Sequence, residues 1–289
     1  MADPDKRGSE ILFRYREKTF KTCPEIALRN ERDAIKYVNE RGFILFWPNK
    51  DLVFPNLWHA VAGDRPVADN HDDSAHITWR WKDNQLGKKR WYYAKIIRQR
   101  STMVSLDLLP NFYALSPNYG DPEQDYLLSY ENGELSSEEK TVYESLLQKG
   151  PLDTITLRES AGLASATNNS RFNRALNLLQ RDFRIVPIGI SDRGAWHYSF
   201  IYDVTHRQFP ELPFLSQSIQ EIDAQMRILK SYLRSLGTSN IQQIKKFFQW
   251  SEPAIRKALD GLINNEDILP NPVVDQSVQE WFTIKQLFD

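Results

Sequence analysis

Residues 136–204 prescribe an order of elements that few small folds satisfy: three helices, a strand, a tight turn and a second strand. Ser136-Ser137-Glu138-Glu139 has the form of a capping box, Ser136 as cap and Glu139 three residues on, and opens a helix through Val142, Leu146 and Leu147 to Lys149-Gly150. Pro151 to Thr154 starts a second helix, spanning 153–162 and stopped by Gly162. Thr167 to Ser170 precedes a third, Arg171 to Asp182, with Phe172, Ala175, Leu176 and Leu179 at helical spacing. Arg184 to Ile190, a turn at Ser191 to Gly194, and Ala195 to Tyr202 then read as a β-hairpin. This is the order of a helix-turn-helix with a β-hairpin wing.

The pattern returns. Ile222, Met226, Leu229, Leu233 and Leu236 mark an amphipathic helix over 222–236, ended by Gly237 as Gly150 ends its counterpart. Residues 240–249 form a second helix, and Ser251 caps a third, Pro253 to Ile263. Ala258-Leu259 echoes Ala175-Leu176, and Ile268 echoes Ile185, at a constant offset of 83. Gly150 and Gly237 lie 87 apart, the four-residue difference falling in the turn before the third helix, and a repeat at near-constant offset marks tandem modules. The expected fold class is α+β, tandem winged-helix modules at 136–210 and 217–289. They follow an N-terminal α+β region, 1–130, for which a divergent winged helix plus a basic aromatic hairpin is one reading.

In that region Asn30 is placed to cap a helix over 31–41, Gly42 to end it, and Phe43 to Trp47 to form a strand stopped by Pro48. A short helix is expected from Pro55 to Val61. Residues 90–97 and 102–108 are rich in β-formers and pair as a hairpin. Pro117, Asn118, Gly120, Pro122 and Gly133 make 117–136 look like a linker and the first domain boundary.

The formal charge of −1 hides strong local fields. Residues 76–100 carry eight cations against Asp83 alone, net +7; residues 101–160 are net −8; residues 161–207 are net +3, every cation an Arg. Local field decides where a polyanion docks. The two positive zones are expected on one face, with 101–160 turned away. No apolar run reaches membrane-spanning length and the N-terminus has no apolar signal core, so a cytoplasmic protein without membrane contact is the expectation. The single Cys23 excludes an internal disulfide and a Cys-rich zinc site.

Arg and Asn are the side chains that reach base edges and phosphates from a helix in the major groove. Asn169, Ser170, Arg171, Asn173, Arg174, Asn177 and Arg181, with Gln180, therefore make the third helix of the first module the candidate recognition helix, and Arg193 the wing contact. Trp79, Trp81, Lys82, Lys88, Lys89, Arg90 and Lys95 interleave rings and cations as exposed bases would require. Asn168 adds a neutral phosphate donor. His71, Asp72, Asp73 and His76 offer imidazole and carboxylate at short spacing, yet such loops more often cap and turn. No metal and no small-molecule cofactor is expected. No nucleophile elbow, phosphate-binding Gly-rich loop or zinc-protease motif occurs.

Gly150 to Thr154, the helix from Arg171 to Gln180, and Leu229 to Gly237 followed by Ile241 to Leu262 resemble the tandem winged-helix DNA glycosylases of the AlkZ/YcaQ type, which repair alkylation damage and interstrand crosslinks. The resemblance is good over 136–270 and weak over 30–60. It implies double-stranded DNA as partner. That family excises bases with a Gln-x-Gln or Gln-x-Asp motif after a Gly-aromatic-aliphatic triplet. Here the triplet is Gly42-Phe43-Ile44, and the motif positions fall on Leu45 and Trp47, which offer no acceptor or negative charge. Neither motif occurs elsewhere in residues 1–75. The expected function is binding of damaged or distorted duplex DNA without the family's catalytic pair. A divergent glycosylase (an N-glycosyl hydrolase) using Asp51, Asp72 or Asp73, and a protein-interaction scaffold, are the alternatives.

Overall fold

The computed structural model describes residues 4–70, 72–118, 120–270 and 280–287. In chain order it runs α1 (Pro4–Phe20), α2 (Glu31–Arg41), β1 (Phe43–Leu45), α3 (His59–Ala62), α4 (Ile77–Gln85), β2 (Tyr92–Lys95), β3 (Ser101–Val104), α5 (Leu109–Ala114) and α6 (Asp125–Glu131). It continues with α7 (Ser137–Lys149), β4 (Leu152–Asp153), α8 (Thr154–Ser160), α9 (Asn169–Arg181), β5 (Ile185–Ser191), β6 (Ser199–Val204), α10 (Thr205–Gln208) and α11 (Leu212–Ser216). Last come α12 (Glu221–Leu236), β7 (Thr238–Asn240), α13 (Ile241–Phe248), α14 (Glu252–Asn264), β8 (Ile268–Pro270) and β9 (Trp281–Ile284). No described helix is long and apolar enough to cross a membrane.

The chain divides into two compact units, one made of residues 1–81 with 220–289, the other of 82–219. The second unit holds a winged helix: α7, α8 and α9 pack around Val142, Leu146, Leu157, Phe172, Leu176 and Leu179, and the strands form a sheet in the order β4-β6-β5. The first unit repeats the scheme with α12, α13 and α14 and the order β7-β9-β8. The chain is therefore α+β with tandem winged-helix modules, as the element order required.

Local capping explains the boundaries. Ser136 and Glu139 form the reciprocal capping box of α7. Asn30 accepts from Asp33 N at 3.0 Å to start α2, and Ser251 accepts from Ala254 N to start α14. In both modules the short strand after the first helix ends on the cap of the second. Asp153 Oδ1 accepts from Ile155 N and Thr156 N, and Asn240 Oδ1 from Gln243 N. These side chains satisfy orphan amide groups that a helix cannot satisfy itself.

The end of α12 is closed from outside. Its last carbonyls accept bonds from α1 and α2: Arg234 O from Tyr15 and Arg41, Ser235 O from Thr19, and Leu236 O from Arg16, all between 2.8 and 3.0 Å. Gly237 then turns at φ +81°, where a Cβ would lie 2.9 Å from Leu12. In the same unit Phe54 stacks between Phe43 and Tyr232, with Phe247 tilted against Phe54 and Tyr232.

The stretch 117–136, expected as a linker, lies inside the second unit. Arg184, itself buried, donates to Pro117 O and Ser129 Oγ, Tyr143 to Pro122 O, and Asn118 to Asp182 O. Its turn-rich composition serves a bonded loop and α6.

Burial raises the hydroxyls of Tyr37, Tyr92, Tyr93, Tyr143 and Tyr202 far above their ordinary value. It pushes Tyr113 and Tyr232 up to about 12. Below pH 10 these groups are neutral folded and unfolded. Above it the unfolded chain releases protons that the folded chain retains, and each such tyrosine removes about 1.4 kcal/mol of stability per pH unit. The melting temperature by circular dichroism is expected to hold to about pH 10 and then drop steeply. A flat profile to pH 11.5 would contradict this burial.

Candidate nucleic-acid interface

Helix α9 is the third helix of the second unit's module, the position of a recognition helix. Phe172, Ala175, Leu176 and Leu179 seat it on the core. The opposite face presents Asn169, Ser170, Arg171, Asn173, Arg174 and Arg181 exposed and Asn177 half-buried. Gln180 departs from the expected polar face: it is 3% exposed and donates to Leu176 O one turn back.

The cations on this face differ in availability. Arg181 is held by Asp182 through two bonds of 2.7 and 2.8 Å. Arg171 lies 3.5 Å from Glu138 of α7, and Arg193 donates to Thr156 Oγ1 at 2.6 Å and reaches Asp153 at 3.3 Å. Glu138 and Asp153 belong to the strongly acidic stretch, so that stretch is not turned away from the positive residues. It supplies their partners, because α7 and α8 pack directly beside α9 and the hairpin. Arg174 also acts on Glu138: bonds from the Glu138 amide and the Ser137 hydroxyl lower the pKa of that carboxyl first, and the charges of Arg171 and Arg174 add to the effect. Helix α9 also packs against β2 and the turn Ile97–Gln99, bringing part of the first basic zone beside it.

In that zone the structure separates rings from cations. Lys88, Lys89 and Arg90 are exposed. Lys95 is half-buried, and burial lowers its affinity for a proton, with Arg100 adding to the effect. Trp79 is partly exposed, its ring 5.8 Å from that of Trp47. Trp81, 5% exposed, and Lys82, 1% exposed, are core residues, which corrects their assignment to a DNA surface. The Lys82 ammonium lies 2.8 Å from both Asp83 Oδ1 and the Tyr198 hydroxyl, over the ring of Phe200. Trp91, Tyr92 and Tyr93 are buried as well: Tyr92 faces Phe183 and Phe209, and Tyr93 faces Phe200.

The two positions that the resemblance marks as catalytic are apolar in three dimensions also. Leu45 is 1% exposed in β1. Trp47 packs among Trp58, His76 and Trp79. Neither side chain carries an acceptor or a negative charge. His71 lies outside the described residues. Asp73 accepts from Arg65 and from Ala75 N, and the Arg65 bond holds its carboxyl below the usual range. His76 bonds to Ala68 O. Asp51 faces Lys246 at 3.8 Å. Burial raises the Cys23 thiol, the wrong direction for a nucleophile. Among the described residues no three His, Cys, Asp or Glu side chains converge on a metal position.

The first unit contains a cavity of about 340 Å³, whose lining includes Glu17, Phe20, Phe54, Asn56, His59 and Asp64. Asn56 Oδ1 accepts from His59 N, which fixes the amide so that its Nδ2 donates to His59 Nδ1 at 3.1 Å. The neutral imidazole therefore carries its proton on Nε2, 3.9 Å from Asp64. Burial lowers the His59 pKa, against a smaller opposite pull from Asp64. The sequence singled out neither residue.

The sequence profile of the AlkZ-related family matches residues 28–249. The chain belongs to the AlkZ-related family. Among solved structures, Streptomyces sahachiroi DNA glycosylase AlkZ matches with a TM-score of 0.57 and 12% identity, over 96% of this chain and 69% of that one. At this identity the likeness shows a shared fold. No curated protein matches. Family membership extends across both units, and it covers Leu45 and Trp47, where an AlkZ-related chain has a buried leucine and a packed indole.

Proposed function

We propose that this AlkZ-related chain binds double-stranded DNA, preferring damaged or distorted duplexes, through the outer face of α9, and that it does so without the glutamine-based excision chemistry. The observation that carries this reading is the row Asn169, Ser170, Arg171, Asn173 and Arg174. It is exposed on a helix whose other face is fixed in the module core. The fold shared with a DNA glycosylase supports it. Lys88, Lys89 and Arg90 extend the exposed charge.

Fluorescence anisotropy on intact, alkylated and mismatched duplexes over a salt series tests it. Affinity is expected to fall steeply with salt. Replacing Arg171 and Arg174 by Ala is expected to reduce the log–log slope by about 2, one unit per phosphate contact. A salt-independent affinity, or a slope untouched by the double variant, would overturn the reading.

A second reading, excision by another acid–base pair, is favoured by one observation: His59 and Asp64 line a cavity wide enough for a heterocycle. Release of base from alkylated duplex, lost in His59→Ala, would replace the first reading with this one.

A further inference from the structure

The wing of the second unit carries a side chain that the DNA reading has not used. Trp196 is 95% exposed, the most exposed large apolar residue described. A lone indole in water forfeits a large apolar payload. Its backbone is also unusual. Trp196 has φ +61° and His197 φ +52°, two consecutive non-glycine residues in the left-handed region, where side chains are strained. Gly194, at φ +105°, supplies the preceding turn, and His197 N bonds back to Gly194 O.

The tip is fixed at both roots. On the β5 side Arg193 is pinned to Thr156 and Asp153, the residue that caps α8. On the β6 side Tyr198 donates to Asp83 at 2.9 Å and accepts from the buried Lys82. Below these anchors Ile190 pairs with Phe200 and Ser191 with Ser199 in the antiparallel ladder. Between them only residues 194–197 project, and Trp196 is the large apolar side chain they carry. Arg193, expected as the phosphate contact, is instead committed to holding the hairpin.

We propose that Trp196 is a stacking wedge, which the wing inserts beside an unstacked or mispaired base of a DNA duplex. This rests on the DNA-binding reading above. A rigid hairpin presenting one planar ring suits a base face, since stacking gains little from an intact step and more where a base is already loose. It assigns detection of distortion to the wing and phosphate attraction to α9.

The test uses the full chain and two duplexes, one fully paired and one with 2-aminopurine opposite a mismatched base. Wild type is expected to change the 2-aminopurine emission and to favour the mismatched duplex. Trp196→Ala is expected to abolish the emission change and to weaken mismatch binding about 5- to 150-fold, collapsing the preference toward one. Trp196→Phe should retain part of both signals. The melting temperature controls for folding, because an exposed ring supports no core. A full emission change in Trp196→Ala at saturation overturns the wedge while leaving the α9 reading intact. Absence of salt-dependent binding to either duplex in wild type overturns both.

Discussion

Lys82→Ala is expected to cost about 3–5 kcal/mol of stability, the range for removing one member of a buried ion pair. The ammonium is almost wholly enclosed and lies 2.8 Å from the Asp83 carboxylate. Burial pulls its pKa below the ordinary lysine range, while the bond to Asp83 opposes the shift. Rings of Tyr93 and Phe200 flank it, the latter at 4.7 Å. Truncation leaves Asp83 charged in an apolar surrounding, with the Tyr198 hydroxyl as its remaining described donor. The double variant Lys82→Met with Asp83→Asn removes both charges at similar volume, and is expected to recover most of the loss. Urea denaturation of the three proteins decides it. An alanine variant within 1 kcal/mol of wild type would show that the pair is not buried in solution.

Phe172→Ala should be as damaging, about 3–5 kcal/mol by lost transfer energy and residual cavity. Phe172 is buried on the inner face of α9, against the core that includes Val142, Leu146 and Leu157, and the Arg158 guanidinium covers its ring at 5.6 Å. The loss falls on the helix that presents Arg171 and Arg174. Denaturation should show reduced stability, and anisotropy should show weaker duplex binding at temperatures where the variant is partly unfolded. Phe172→Leu, which fills more of the volume, is expected to lose less than half as much. Equal stability of wild type and the alanine variant would place Phe172 outside the core.

What could be read from the sequence was what is decided locally. The Ser136–Glu139 box, the Asn30 and Ser251 caps and the Gly237 stop each depend on a few neighbours, and each stands where the spacing put it. Strands β4 and β7 were not foreseen. Two or three residues carry no alternation, and they are strands only because β6 and β9 offer them an edge. Helix α1 escaped notice because its inner face pairs with α12, about two hundred residues away in sequence.

The basic aromatic zone misled for a related reason. Composition places cations and rings together, but not which of them turns inward. Lys82 and Trp81 went to the core, while Lys88, Lys89 and Arg90 stayed outside. Segment charge likewise missed that Glu138 and Asp153 would sit on Arg171 and Arg193. On α9 the helical period separated the seating residues from the exposed ones, Gln180 excepted. The spacing places Trp196 in the second strand of the hairpin, Ala195 to Tyr202, whereas β6 begins only at Ser199 and the left-handed backbone at Trp196 and His197 displays the ring at the tip.

The carbonyls at the end of α12 that α1 and α2 cap have a consequence for synthesis. The first unit is split, and its two parts are separated by residues 82–219. At about 5–20 residues per second, a ribosome needs on the order of ten seconds to deliver that insert. During this delay Tyr15, Arg16, Thr19 and Arg41 lack the α12 carbonyls they bond, whereas the core cluster of the insert is drawn from residues 126–204 alone. Vectorial synthesis therefore orders the assembly: the inserted unit matures first, and the early segment waits for the late one.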